Sequence, residues 1–204
     1  MTLKPISIIL CFLVCLFAST TAFACACCVN PGYYEISTVK PTSIDTAMFD
    51  EFKFDLPAGI YMSEAGFDGL RGLDELRKDQ QNEKSISLEL VQTFAGRTWR
   101  FEIRSESGRR GTLVLPLPAS MVKFKVDMHD NAPETETFLY KELRFKGNAQ
   151  SGTGLFRNDI VKGTTFFLVF QGRGNGCDSS SDFTYWRLEL NGPKADYAFY
   201  GKLN

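Results

Sequence analysis

Histidine is nearly missing: His129 is the only one in 204 residues. One imidazole excludes a histidine-rich metal centre and forces any Ser-His-Asp triad through a single position. The G-x-S-x-G elbow that would present the serine is absent as well. No Asn-x-Ser/Thr acceptor occurs, so the chain carries no N-glycosylation signal. Neither sign of charge is in excess, with 23 Lys and Arg against 24 Asp and Glu and a formal net charge of −1. That balance argues against nucleic acid as a partner and against a polybasic membrane surface. From Tyr33 onward there is no internal repeat, no low-complexity tract and no linker long enough to divide the chain.

Long apolar runs are scarce too. The stretch Ile6–Phe17 spans about 12 residues, short of the ~20 that a membrane-spanning helix needs. It follows Lys4 and closes on Ala22-Phe23-Ala24, the small-residue spacing that a signal peptidase reads. Residues 1–24 are therefore expected to be a secretory signal peptide, with no transmembrane span in the mature chain. Removing 24 from 204 leaves 180 residues, enough for one domain with a sizeable core. Residues 25–32 read as a cysteine-rich N-terminal segment and 33–204 as a single β-rich domain. Cys25 at the cleavage point raises lipoprotein anchoring as the weaker reading, because Phe23 is bulky where a lipobox wants a small residue and Ala22 stands where it wants Leu.

What is abundant points to strands. Phenylalanine contributes 18 residues, and aromatic side chains favour pleated, half-buried surfaces. Apolar and polar residues alternate through Arg97–Arg104, Ser120–His129 and Phe183–Asn191, the period of an antiparallel strand with one wet face. The alternation predicts that Val122, Phe124 and Val126 point into the same core as Trp99, Phe101, Phe166, Phe170, Trp186 and Leu188, leaving Lys123 and Lys125 in water. Less regular strand candidates are Tyr33–Lys40, Ala47–Asp55, Ser85–Phe94, Gly111–Leu117, Thr137–Lys146, Thr164–Gln171 and Lys194–Leu203. The run Phe166-Phe167-Leu168-Val169-Phe170 predicts a central strand covered on both faces. Connectors carry turn residues, such as Asn191-Gly192-Pro193. Ten strands imply an all-β fold, an antiparallel β-sandwich (jelly-roll-like) or a barrel. One short helix is expected, over Leu73–Gln81, where Leu70, Leu73 and Leu76 fall three apart.

The cysteines are the most unusual local feature. Cys25, Cys27 and Cys28 open the mature chain, and Cys177 follows about 150 residues later in a glycine-rich loop. Four thiols in an exported chain read first as disulfides. Cys27 and Cys28 are adjacent and poor partners for each other, so Cys177 is expected to pair with one of them. Clustered thiolates also suit Cu(I) or Zn(II), which makes Cys25, Cys27 and Cys28 weak metal candidates and leaves thiol-redox chemistry as a further alternative. The acidic residues around His129 read as a polar loop rather than a Ca²⁺ site. Gln171-Gly172-Arg173-Gly174-Asn175-Gly176-Cys177 imitates a phosphate loop, yet it leads into a strand rather than a helix and so reads as a loop tied down by Cys177. No spacing singles out a catalytic pair among the 24 acids.

The expectation is an exported, bacterial, single-domain β-sandwich with a binding or structural role, secreted or periplasmic, using no cofactor. Its partner would be an unspecified ligand or protein. Two alternatives stand beside it: a cysteine-dependent metal or redox protein, and a secreted hydrolase whose acidic residues converge only in three dimensions.

Overall fold

The structure, a computed structural model, describes residue 29 and residues 32–55, 58–62, 88–105, 108–127 and 139–204. The signal peptide expected over residues 1–24, Cys25, Cys27, Cys28, His129 and the helix expected over Leu73–Gln81 lie outside the described residues.

Eleven strands and one α-helix are present among the described residues. In chain order they are β1 (Tyr34–Val39), α1 (Ser43–Glu51), β2 (Gly59–Met62), β3 (Glu89–Ala95), β4 (Thr98–Arg104) and β5 (Arg110–Pro116). They continue with β6 (Met121–Val126), β7 (Tyr140–Asn148), β8 (Ser151–Gly154), β9 (Thr165–Arg173), β10 (Phe183–Gly192) and β11 (Ala195–Lys202). Seven strands form one sheet in the order β1-β6-β7-β9-β10-β11-β2, and four form a second in the order β3-β4-β5-β8. Every pairing is antiparallel.

The two sheets face each other across one core. Trp99 and Phe101 of the small sheet are fully buried and lie 4.8 Å from Phe145 and 6.1 Å from Trp186 of the large sheet, ring centre to ring centre. The fold is therefore an all-β sandwich, and the strands do not close into a barrel. The apolar run expected at the centre is there: β9 is the fourth of seven strands, with Phe166, Leu168 and Phe170 in the core. Val169, on the outward row, is also buried at 3% exposure, flanked in register by Arg144 and Arg187. Long arginine stems cover apolar surface while their guanidinium groups stay wet.

Two expectations are overturned. The first concerns Ala47–Asp55, read as a strand. The chain is helical from Ser43 to Glu51, because Thr42 and Asp45 form a capping box. The Asp45 amide donates to Thr42 Oγ1 at 3.2 Å, and the Thr42 amide donates back to Asp45 Oδ2 at 2.8 Å. Asp45, Met48, Phe49 and Phe52 are the buried residues of this stretch, spaced i, i+3, i+4, i+7 as one helix face requires.

The second concerns β6. Met121 is in the core at 1% exposure, so Lys123 and Lys125, which share its parity, face inward. Lys123 sits opposite Leu143, itself 4% exposed. Val122, Phe124 and Val126 lie on the outer face. There Phe124 is half-buried, 6.2 Å from both Tyr34 and Tyr140, with the Arg144 guanidinium 4.9 Å above its ring. Truncating Phe124 to Ala should therefore cost only about 1–2 kcal/mol, against ~3–5 for a core phenylalanine. Urea titration measures the difference, and a loss above 3 kcal/mol would return Phe124 to the core.

Candidate functional site

The inward row of β6 is where the sandwich departs from its own pattern. Elsewhere the inner face carries Trp, Phe and Leu; at the β1-β6-β7 end it carries Glu35, Ser37, Lys123, Lys125 and Lys141. Buried polar groups are the informative exceptions in a fold. They are tolerated here because α1 and the 174–182 loop, rather than the small sheet, cover this end.

α1 is wedged between the sheets. Phe49 lies 5.7 Å from Phe94 and 5.8 Å from Trp99 on one side, and 5.2 Å from Phe145 on the other. That seating brings Asp45, 1% exposed at the first turn, to 2.7 Å from the Lys123 ammonium. Burial alone would push the Asp45 carboxyl up. The Lys123 ammonium and the Thr42 hydrogen bonds outweigh burial and hold the carboxyl below its ordinary value. Burial works against the charged form of Lys123 too, but Asp45, and after it Asp178 at 3.3 Å, raise it above its ordinary value.

The glycine-rich loop supplies the opposite wall. It does wrap an anion, but the anion is the chain's own Asp182 carboxylate. A Cβ at Gly174 would fall 2.1 Å from that carboxyl group, and the Gly176 amide donates to Asp182 Oδ2 at 2.9 Å. Lys141, 7% exposed, seals the arrangement with its ammonium 2.5 Å from Asp182 Oδ2 and a further donation to the Gly176 carbonyl. Ser180 ties the loop to α1 by donating to Glu51 at 2.7 Å.

Between these walls is a cavity of about 210 Å³, lined in part by Met48, Leu143 and Phe183 below and by Glu35, Lys125 and Asp178 towards its mouth. Lys125 meets Glu35 at 3.0 Å. The three ammonium groups thus meet four carboxylates, and the chamber has no excess positive charge. Cys177 also lines it and is the only cysteine among the described residues.

Convergent acids are what a hydrolase would need, and the chamber has them. Carboxylate-driven hydrolysis further needs one acid that keeps its proton near neutrality; Asp45, which reaches the chamber only through Lys123, is held below its ordinary value instead. The carboxyl that is raised, to about 6 by burial, is Asp159, in the turn between β8 and β9 and only 1% exposed. It does not line the chamber. Among the described residues no cluster of three or more His, Cys, Asp or Glu side chains is arranged to hold a metal. No described helix is long and apolar enough to cross a membrane.

The sequence reading missed Lys123, Lys125, Lys141, Asp45 and Asp182 as a group. One signal was available: Thr42-x-x-Asp45 has capping-box spacing and would have placed α1. Comparison with protein-family models, with curated proteins and with solved structures returns no match.

Proposed function

We propose that the protein is an exported binding module whose ligand site is the chamber beneath β1, β6 and β7, and that it takes a small polar molecule. The observation that carries this reading is the inward turn of Lys123, Lys125 and Lys141 around a cavity of about 210 Å³. An aliphatic row in their place would pack at no electrostatic cost, since replacing buried ion pairs by apolar residues is commonly neutral or stabilising. Charges retained at a concave, partly apolar site are what ligand orientation requires. The leader over residues 1–24 supports delivery outside the cytoplasm, secreted or periplasmic. A disulfide from Cys177 to Cys27 or Cys28 would fasten the chamber's loop to the mature N-terminus and hold Asp178 in place.

The reading is tested by thermal-shift measurements on the purified protein. The panel comprises small carboxylates, amines, free amino acids and monosaccharides. At least one class should raise Tm in the wild type and lose most of that effect in Lys125→Met. If no compound in the panel shifts Tm, or if the shift survives unchanged in Lys125→Met, the chamber is structural and the proposal fails.

A further inference from the structure

Resting on that reading, we infer that the ligand is a zwitterion of amino-acid size: a free α-amino acid with an apolar side chain. Three of the charges around the chamber are fixed in place. Asp45 and Asp182 are buried and held from several sides, as is Lys141. Glu142 also lines the cavity, but Tyr140 and Arg144 hold its carboxylate on the outer row, so four charged side chains remain partly open at the mouth. They are Lys123 and Lys125, with side chains 34% and 27% exposed, and Glu35 and Asp178, at 54% and 39%.

Two ammonium groups and two carboxylates cancel at a distance. A ligand of one sign is drawn by one pair and repelled by the other. A ligand that brings both signs exchanges partners one for one: its carboxylate takes the lysines, its ammonium takes Glu35 and Asp178, and no charge is left unpaired. The floor completes the match. Met48, Leu143 and Phe183 form an apolar base below this charged rim, where a hydrocarbon side chain would sit. The volume also fits. About 210 Å³ corresponds to roughly seven waters at ~30 Å³ each, hence to a ligand of about that many non-hydrogen atoms or slightly more.

Isothermal titration calorimetry of the intact protein separates the possibilities with four probes of similar shape. They are leucine, 4-methylpentanoate (no ammonium), isoamylamine (no carboxylate) and the neutral 4-methylpentanamide. Leucine is expected to bind most tightly, with each of the other three weaker by at least about thirtyfold, the effect of leaving a charged partner unmatched. Lys125→Met should bring leucine down towards isoamylamine, and Glu35→Gln should bring it down towards 4-methylpentanoate. Both side chains lie near the mouth, and far-UV circular dichroism verifies that the variants fold.

If 4-methylpentanoate, isoamylamine or the amide binds within threefold of leucine, the zwitterion assignment is wrong. The same holds if leucine fails while another small polar compound binds in a Lys125-dependent way; the chamber then stands and only the ligand class falls. If no compound's binding responds to either substitution, both the class and the chamber are overturned.

Discussion

Phe49→Ala should lower the unfolding free energy by about 3–5 kcal/mol, the range for emptying a fully buried aromatic site. Phe49 has no exposed surface, and its ring meets Phe52, Phe94, Trp99 and Phe145 at 5.2–6.2 Å between centroids. It is the point at which α1 grips both sheets. Edge-to-face geometry against Phe94 and Phe145, at 89° and 90°, adds to the area it buries. The loss should also reach the chamber, because α1 presents Asp45 to Lys123. Guanidinium denaturation gives the free energy. A cost under 1.5 kcal/mol would mean that α1 is not seated between the sheets.

Asp159→Asn should act in the opposite direction, raising stability at pH 7.5 by up to about 3 kcal/mol. Asp159 is 1% exposed, and neither carboxylate oxygen has a hydrogen-bond partner among the described residues. Burial raises its carboxyl from 3.8 to about 6, with Lys194 too weak an influence to reverse this. Because the folded value lies above the unfolded one, the folded state holds a proton that the unfolded chain releases between those two pH values. Stability is therefore lost as pH rises from about 4 to 6, and the loss persists above. A rise from 3.8 to about 6 corresponds to roughly 3 kcal/mol.

Asparagine has no charge to desolvate, so the gain should vanish near pH 3 and be complete above pH 7. Asp45 works in the opposite sense, since its lowered value contributes stability above about pH 3.8 that is lost in acid. Melting temperatures of wild type and Asp159→Asn from pH 3 to 8 measure the difference. Parallel curves would contradict the assignment of a buried, proton-holding carboxyl.

The fold was largely legible because period-two alternation is a local signal. Strands were expected within a few residues of where β1, β3–β7 and β9–β11 lie. β8 escaped because Ser151-Gly152-Thr153-Gly154 has turn composition; it is a strand because Gly111 and Gly152 let it lie against β5 and the Phe156 turn, where any Cβ would collide. α1 escaped because Met48, Phe49 and Phe52 resemble a strand unless the capping box is weighed first.

The site was not legible, and the reason is a matter of parity. Val122-Lys123-Phe124-Lys125-Val126 specifies alternation but not which row points inward. That choice was made by distant groups: Asp45 and Asp178 receive Lys123 inside, while Tyr34, Tyr140 and Arg144 cover Phe124 outside. Asp178 lies 55 residues from Lys123 in the chain. No window of sequence contains both sides of that arrangement.

The inward row of lysines is the claim on which the chamber depends, and amine acylation of the native protein, quantified lysine by lysine by mass spectrometry, tests it most directly. Acylation needs an accessible, neutral amine. Lys141 should react slowest, and Lys123 and Lys125 should lag well behind the exposed Lys40, Lys162 and Lys202. Raising the Lys123 ammonium above its ordinary value slows that position further. Unfolding in guanidinium should bring all six to a common rate. If Lys123 and Lys125 react in the native protein as fast as Lys40, Lys162 and Lys202, β6 has its lysines in water and the chamber does not exist.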